Sequence, residues 1–328
     1  MHTLALNRGF HIARLVALLA GCGGSQPPIG APGAMPQTAA ISTQADRGKS
    51  WMLPEAKSDS DKPWLYVSDT TGNAVYIYAL KGSHASQIGE ITNEIDVPFA
   101  ATVDSSGNLY VVNRSSQGSV TIYPPGETSP SLTLSKDLTY PEGVAVDASG
   151  NVWVTNRGST PGIAVFPPGS TTPSAYITGN LIRYPLEDFF DQHGNLYFAD
   201  AETGVSKIPS GSQHPVSLGL LGLHSAVGVA LAPSGNLYVN NYTPNKGKVY
   251  TTLAYALGNN QPKYKLQGHV AAYNIAVGNI GSKNYVFIPD WYSGQVSVYR
   301  DGSRKPFAQF ETLSANTGGV AFKPAGVP

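Results

Sequence analysis

Arginine, acidic and aromatic side chains recur at matching points along this 328-residue chain. Each point lies at the end of a short apolar segment: Asp69-Thr70, Asn113-Arg114, Asn156-Arg157, Asp200-Ala201-Glu202, Asn241-Tyr242 and Asp290-Trp291-Tyr292. A second set, Phe99, Glu142, Glu187, Tyr273 and Asn274, stands where the chain enters the following apolar segment, with His224 in a nearby loop. Aromatic bodies beside a few fixed polar groups are the makings of a binding mouth. Phe99, Arg114, Arg157, Tyr242, Tyr273, Trp291 and Tyr292 are therefore the candidate ligand-binding residues. The repeating Asn and Asp have a simpler expected task, bonding the backbone of their own turn. Arg114, Arg157, Tyr242 and Trp291 do not recur by structural need, so they carry more information.

A second chemistry is open to the oxygens. Glu187 and Asp188 interrupt an apolar segment, and neighbours on a strand point to opposite faces. A buried carboxylate is costly without a partner, so at least one of the two is hydrated, paired or functional. Glu142, Glu187 and Asn274 together offer oxygen ligands of the kind Ca²⁺ or another divalent metal requires. No Gly-x-Ser-x-Gly elbow, phosphate-binding Walker loop or His-Glu-x-x-His motif occurs. His84, His193, His214, His224 and His269 are dispersed. No catalytic residue is therefore assigned, and the expected role is non-catalytic binding of a protein, peptide or glycan.

These residues are carried by a repeat. The central residues of six similar segments are Ala101, Val144, Asp188, Val229, Ile275 and Val320, spaced 41 to 46 residues apart. Four of them lead into turns that read Asp104-Ser-Ser-Gly-Asn108, Asp147-Ala-Ser-Gly-Asn151, Asp191-Gln-His-Gly-Asn195 and Pro233-Ser-Gly-Asn236. Gly and Asn supply the positive φ that hairpin turns need. Second strands follow, such as Val152–Asn156, then third strands, such as Ile163–Phe166, stopped by Pro-Pro-Gly. Weaker outer strands run near Ser131–Leu134 and Ala175–Thr178. Four antiparallel strands per repeat, with no helical period, predict an all-β β-propeller. The first unit, opening at Trp64–Asp69, lacks a first strand, and the chain ends on an orphan one, Gly318–Phe322. Pairing the two closes the ring, removes exposed edges and sets the count at six blades.

The pattern Pro141-Glu-Gly-Val-Ala-Val-Asp147, Gly150-Asn-Val-Trp-Val154 and Ile163-Ala-Val-Phe166 resembles the NHL repeat family. The likeness is recognisable across about 64–323. It departs at Leu186–Phe190, and at Gly278–Asn284, which reads as a longer turn. The resemblance implies a propeller and commonly a binding surface, not one activity. Two enzyme families with similar repeats offer the alternatives. Gluconolactonase-like propellers hold a divalent metal on acidic and Asn side chains at the channel top, which would make this chain a metal-dependent hydrolase or lactonase. In the column where those ligands precede Gly, only Glu142 qualifies here. Streptogramin-lyase-like propellers have seven blades and a His/Glu pair at the mouth, which this chain does not reproduce.

Composition narrows the class further. Lys plus Arg and Asp plus Glu are both 21, giving zero net charge, and charged residues make up 13% of the chain, against a usual ~25%. A nucleic-acid binder would show a basic patch, so nucleic acid is not an expected partner. No apolar run reaches the ~18 residues of a spanning helix. The only cysteine, Cys22, rules out an internal disulfide. Arg8 and Arg14 precede an apolar run that ends Leu19-Ala20-Gly21-Cys22, which resembles the lipobox of bacterial lipoproteins. The resemblance implies a signal peptide over 1–21, cleavage before Cys22 and lipidation of its thiol, which anchors the chain in a bilayer. Gly23 after the cysteine implies the outer membrane of the cell envelope. Residues 22–60, rich in Gly, Pro, Ala and Ser, read as a disordered linker with a reach of about 35 Å. The propeller is then expected over 61–328, acting as a monomer.

Overall fold

The turns explain the blades. Gly107, Gly150, Gly194 and Gly235 adopt φ of 82°, 82°, 77° and 82°, a left-handed conformation that Gly reaches without penalty. At the first three turns one Asp carboxylate secures the bend. Oδ1 of Asp104 accepts the N–H groups of Ser106 and Asn108 at 2.9 Å, and Asp147 and Asp191 repeat the pattern. Each such bend joins an inner strand to a second strand lined with Val, Leu, Tyr and Phe, residue types that suit a pleated, packed surface.

The structure is a computed structural model that describes residues 49–57, 62–244, 249–268, 271–313 and 316–326. All of them belong to one compact unit, Ala40–Pro328. They form six antiparallel sheets. From the inner strand outward, blade two is Pro98–Val103, Leu109–Asn113, Ser119–Tyr123 and Leu132–Leu134. Blade three is Pro141–Val146, Val152–Asn156, Gly162–Phe166 and Ala175–Ile177. Blade four is Pro185–Phe190, Leu196–Asp200, Gly204–Ile208 and the short Val216–Ser217. Blade five is Ala226–Leu231, Asn236–Thr243, Val249–Ala256 and Pro262–Lys265. Blade six is Ala276–Ile280, Lys283–Pro289, Gln295–Arg300 and Ala308–Glu311.

Blade one closes the ring as expected. Its inner strand is the chain's last, Thr317–Lys323, paired with Trp64–Asp69 in the register Trp64↔Lys323 to Asp69↔Thr317. Ala74–Lys81 and His84–Ile91 complete it. Lys323 is fully buried, with its ammonium 4.3 Å from the Trp64 ring centre. The blade also gains a fifth strand, Trp51–Met52, on His84–Ile91. Structure therefore begins before residue 61, inside the segment expected to be linker. Trp51 donates its indole N–H to Glu90, and its neighbours cover an edge that would otherwise be open. The signal segment, Cys22 and most of the linker lie outside the described residues.

Apolar side chains collect in six clusters, one at each junction between neighbouring blades. Blades therefore hold one another by burial of Val, Ile, Leu, Phe and Tyr, the dominant favourable contribution to folding. One expectation is corrected. Residues 278–284 do not form a longer turn. The strands extend instead, pairing Gly278↔Tyr285, Asn279↔Asn284 and Ile280↔Lys283, with Gly281 at φ 61° in the bend. Among the described residues, no helix is long and apolar enough to cross a membrane.

Candidate ligand-binding site at the propeller mouth

One backbone bond recurs in every blade and builds the rim. A residue at or just beyond the end of the second strand donates its N–H to a carbonyl of the loop leading into the inner strand. The six bonds are Thr70 to Asn316, Arg114 to Val97, Arg157 to Tyr140, Ala201 to Tyr184, Tyr242 to Ser225 and Trp291 to Ala271, all between 2.7 and 3.1 Å. The Asn and Asp just before these donors strengthen the same link. Asn113 accepts from Asp96 N, Asn156 from Thr139 N and Asn241 from His224 N. These three bind the incoming loop rather than their own turn, correcting the simple Asx reading. Asp69 does bind its own turn, through Thr71 and Gly72, and Asp200 and Asp290 serve both places. Their carboxylates are thereby turned into the backbone.

The rim places Arg114 and Arg157 on either side of Glu142. Arg157 Nε donates to Glu142 Oε1 at 2.6 Å, and Arg114 Nη1 lies 3.4 Å from Oε2. Glu142 is 1% exposed, while the arginine side chains are 28% and 27% exposed. Burial pushes the Glu142 carboxyl up, and the two guanidiniums pull it back. The arginines also lie over rings. Arg114 sits 4.1 Å from the Phe99 centre, and Arg157 lies 4.9 Å from Tyr184 and 5.3 Å from Tyr140. Such stacking fixes a guanidinium while leaving its edge available.

Aromatics form the facing wall. Phe99, Tyr273 and Trp291 touch pairwise, with centres 5.4 to 6.1 Å apart. Tyr242 packs on Tyr250 at 4.7 Å, and the Tyr250 and Tyr273 hydroxyls are hydrogen-bonded. Burial pushes both of those hydroxyls up, so they stay protonated. The pocket measures about 390 Å³, and its lining includes Leu186 and Val227. Five of the seven expected binding residues line it: Phe99, Arg114, Tyr242, Tyr273 and Trp291. Arg157 joins through Tyr184 and Glu142, whereas Tyr292 does not line the pocket and is 55% exposed. The sequence reading overlooked Tyr140 and Tyr184, which hold Arg157. A signal existed: both directly precede the proline that opens an inner strand.

No protein-family model matches the sequence, and no curated protein matches it. Among solved structures, the chain is similar to a protein of unknown function from Bacteroides caccae. Identity is 11% and the TM-score 0.56, with 80% of this chain and 98% of that one covered. It is also similar to the hydrazine synthase of Kuenenia stuttgartiensis, with identity 17%, TM-score 0.48, and 64% and 66% covered. The first likeness is one of fold, and neither speaks to a ligand.

Glu187 and Asn274 lie deeper, in the channel, and do not join Glu142. Glu187 Oε2 accepts the Val229 N–H at 2.8 Å, and Oε1 accepts the Ile275 N–H at 3.0 Å and the Asn274 amide. Asn274 in turn accepts the Val320 N–H at 2.8 Å. The inner edge of an inner strand has no ladder partner, so these N–H groups need acceptors. Two polar side chains thus tie together blades four, five and six and the closing strand. Space for them comes from Gly at the matching repeat position: a Cβ on Gly228 would stand 2.8 Å from Glu187 Oε2. Among the described residues, neither oxygen of Asp188 has a hydrogen-bond partner. Burial pushes both carboxyls well up, with backbone N–H groups opposing this at Glu187. A divalent cation needs lone pairs converging on one point. Here Glu142 faces guanidiniums and Glu187 faces N–H groups, so the expected metal ligands are arranged for other partners.

Proposed function

We propose that this chain is an NHL-like propeller, anchored by lipid at Cys22 to the bacterial cell envelope, that binds a ligand at its mouth without transforming it. The observation that carries the reading is the pocket of about 390 Å³ where aromatic walls meet an arginine edge. Polar groups are few and held in place, and the apolar lining is large, which is how ligand sites are built. The repeat motif supports the NHL likeness, and Leu19-Ala20-Gly21-Cys22 supports the anchor. Glycan and peptide arrays probed with the full chain test the binding reading. Arg157→Ala combined with Trp291→Ala should abolish the signal while circular dichroism stays unchanged. Signal that persists in the folded double variant rules out this mouth.

A further inference from the structure

We infer that the mouth takes an acidic glycan, one whose sugar rings carry uronate carboxylates. The inference rests on the binding reading above and adds the chemistry of the ligand.

Charge is the first ground. Arg114 and Arg157 carry two positive charges against the single carboxylate of Glu142. The nearby carboxylates of Asp69, Asp200 and Asp290 accept backbone N–H groups instead of lining the pocket. A guanidinium has five N–H donors, and Glu142 engages only Nη1 of Arg114 and Nε of Arg157. The remaining nitrogens have no acceptor among the described residues, and both side chains are more than a quarter exposed. Glu142 therefore holds two like-charged groups together and leaves their outer edges unsatisfied. A planar fork of N–H groups matches a carboxylate in two-point contact.

Shape supplies the second ground. Tyr273 and Trp291, packed on the buried Phe99 beside the arginines, present an apolar wall to the C–H face of a sugar ring. The third ground sets glycan against peptide. Extended peptides are commonly held by main-chain hydrogen bonds along an open strand edge. Here, in each of the six blades, a rim N–H is already paired with a carbonyl of the neighbouring loop. Recognition is left to side chains, which is how a glycan is gripped.

Isothermal titration of the full chain with tetragalacturonate, its methyl ester, a sulfated neutral tetrasaccharide and an acidic hexapeptide tests this. The free acid should bind about tenfold or more tighter than the ester, the loss expected for one charge-assisted contact. Its affinity should fall as salt is raised. Arg114→Gln should reduce the preference, and the ester comparison on the unaltered protein stands even if that variant fails to fold. Equal binding of acid and ester overturns the inference, as does tighter binding of the sulfated glycan or of the peptide. Neutral ester binding that disappears in Trp291→Ala would leave the binding mouth standing without its charge selection. No binding by any glycan or peptide, on arrays or in titration, removes both.

Discussion

Glu187 and Asp188 are adjacent, both acidic and both buried, yet opposite consequences are expected from making each one neutral. Glu187→Gln replaces one acceptor oxygen with an N–H₂ group facing the N–H groups of Val229, Ile275 and Asn274. At least one buried donor then loses its acceptor, at about 1–3 kcal/mol, and the bonds that survive lose their charge-assisted strength. Relief of a desolvated charge offsets part of this. The net expectation is a loss of roughly 2–4 kcal/mol, or about 4–15 °C in Tm for a domain of this size. Asp188→Asn removes no side-chain hydrogen bond to another described residue, because neither oxygen has such a partner. Its raised pKa means that the folded state holds a proton the unfolded state has released. Native stability from this group is therefore intact below the ordinary Asp pKa of ~3.9 and declines as pH rises through the folded-state value. Among the described residues lining the channel, only Glu187 and Asp188 titrate. Asp188→Asn should leave Tm at pH 7 unchanged or higher and flatten its fall between pH 4 and 8. Thermal melts followed by circular dichroism across that range provide the measurement. The reasoning is refuted if Asp188→Asn destabilises as much as Glu187→Gln, or if Glu187→Gln leaves Tm where it was.

Two further outcomes are expected. Deleting residues 317–328 removes the inner strand of blade one and uncovers the Trp64–Asp69 edge. That variant should show no cooperative melt, and a folded, monomeric truncation would contradict the closure account. Mass spectrometry of the mature chain should find its first residue at Cys22 with a lipid adduct, and Cys22→Ser should release the protein from membranes. An unmodified Cys22 would end the anchoring proposal.

Much of the architecture was legible in the residues. Gly-Asn after an Asp marks a bend wherever it occurs, because the local φ requirement does not depend on the rest of the fold. The spacing of Ala101, Val144, Asp188, Val229 and Val320 survives as matching register positions, opposite Val111, Val154, Phe198, Val239 and Val67. The orphan strands at the two ends foretold their own pairing, since an unpaired edge is a defect that a closed ring removes. Site membership was legible in part. Arg114, Tyr242 and Trp291 stand out as departures from the repeat, and they meet in the pocket. Glu142, Glu187 and Asn274 were grouped as oxygen ligands, because one sequence shows which side chains share a rim but not what each one faces.

The chain's own pattern of strands, bends and unmatched ends determined that this protein is a six-bladed ring, because those features act through local backbone preference and periodic burial. Tertiary structure alone decided what each polar group does. Glu142 became the clamp between two arginines, and Glu187 became the acceptor for the bare inner edges of two blades. Those roles depend on groups up to 88 residues apart meeting in a space that Gly228 keeps open. Distances of that kind are set by how blades pack against one another, and no local rule encodes them.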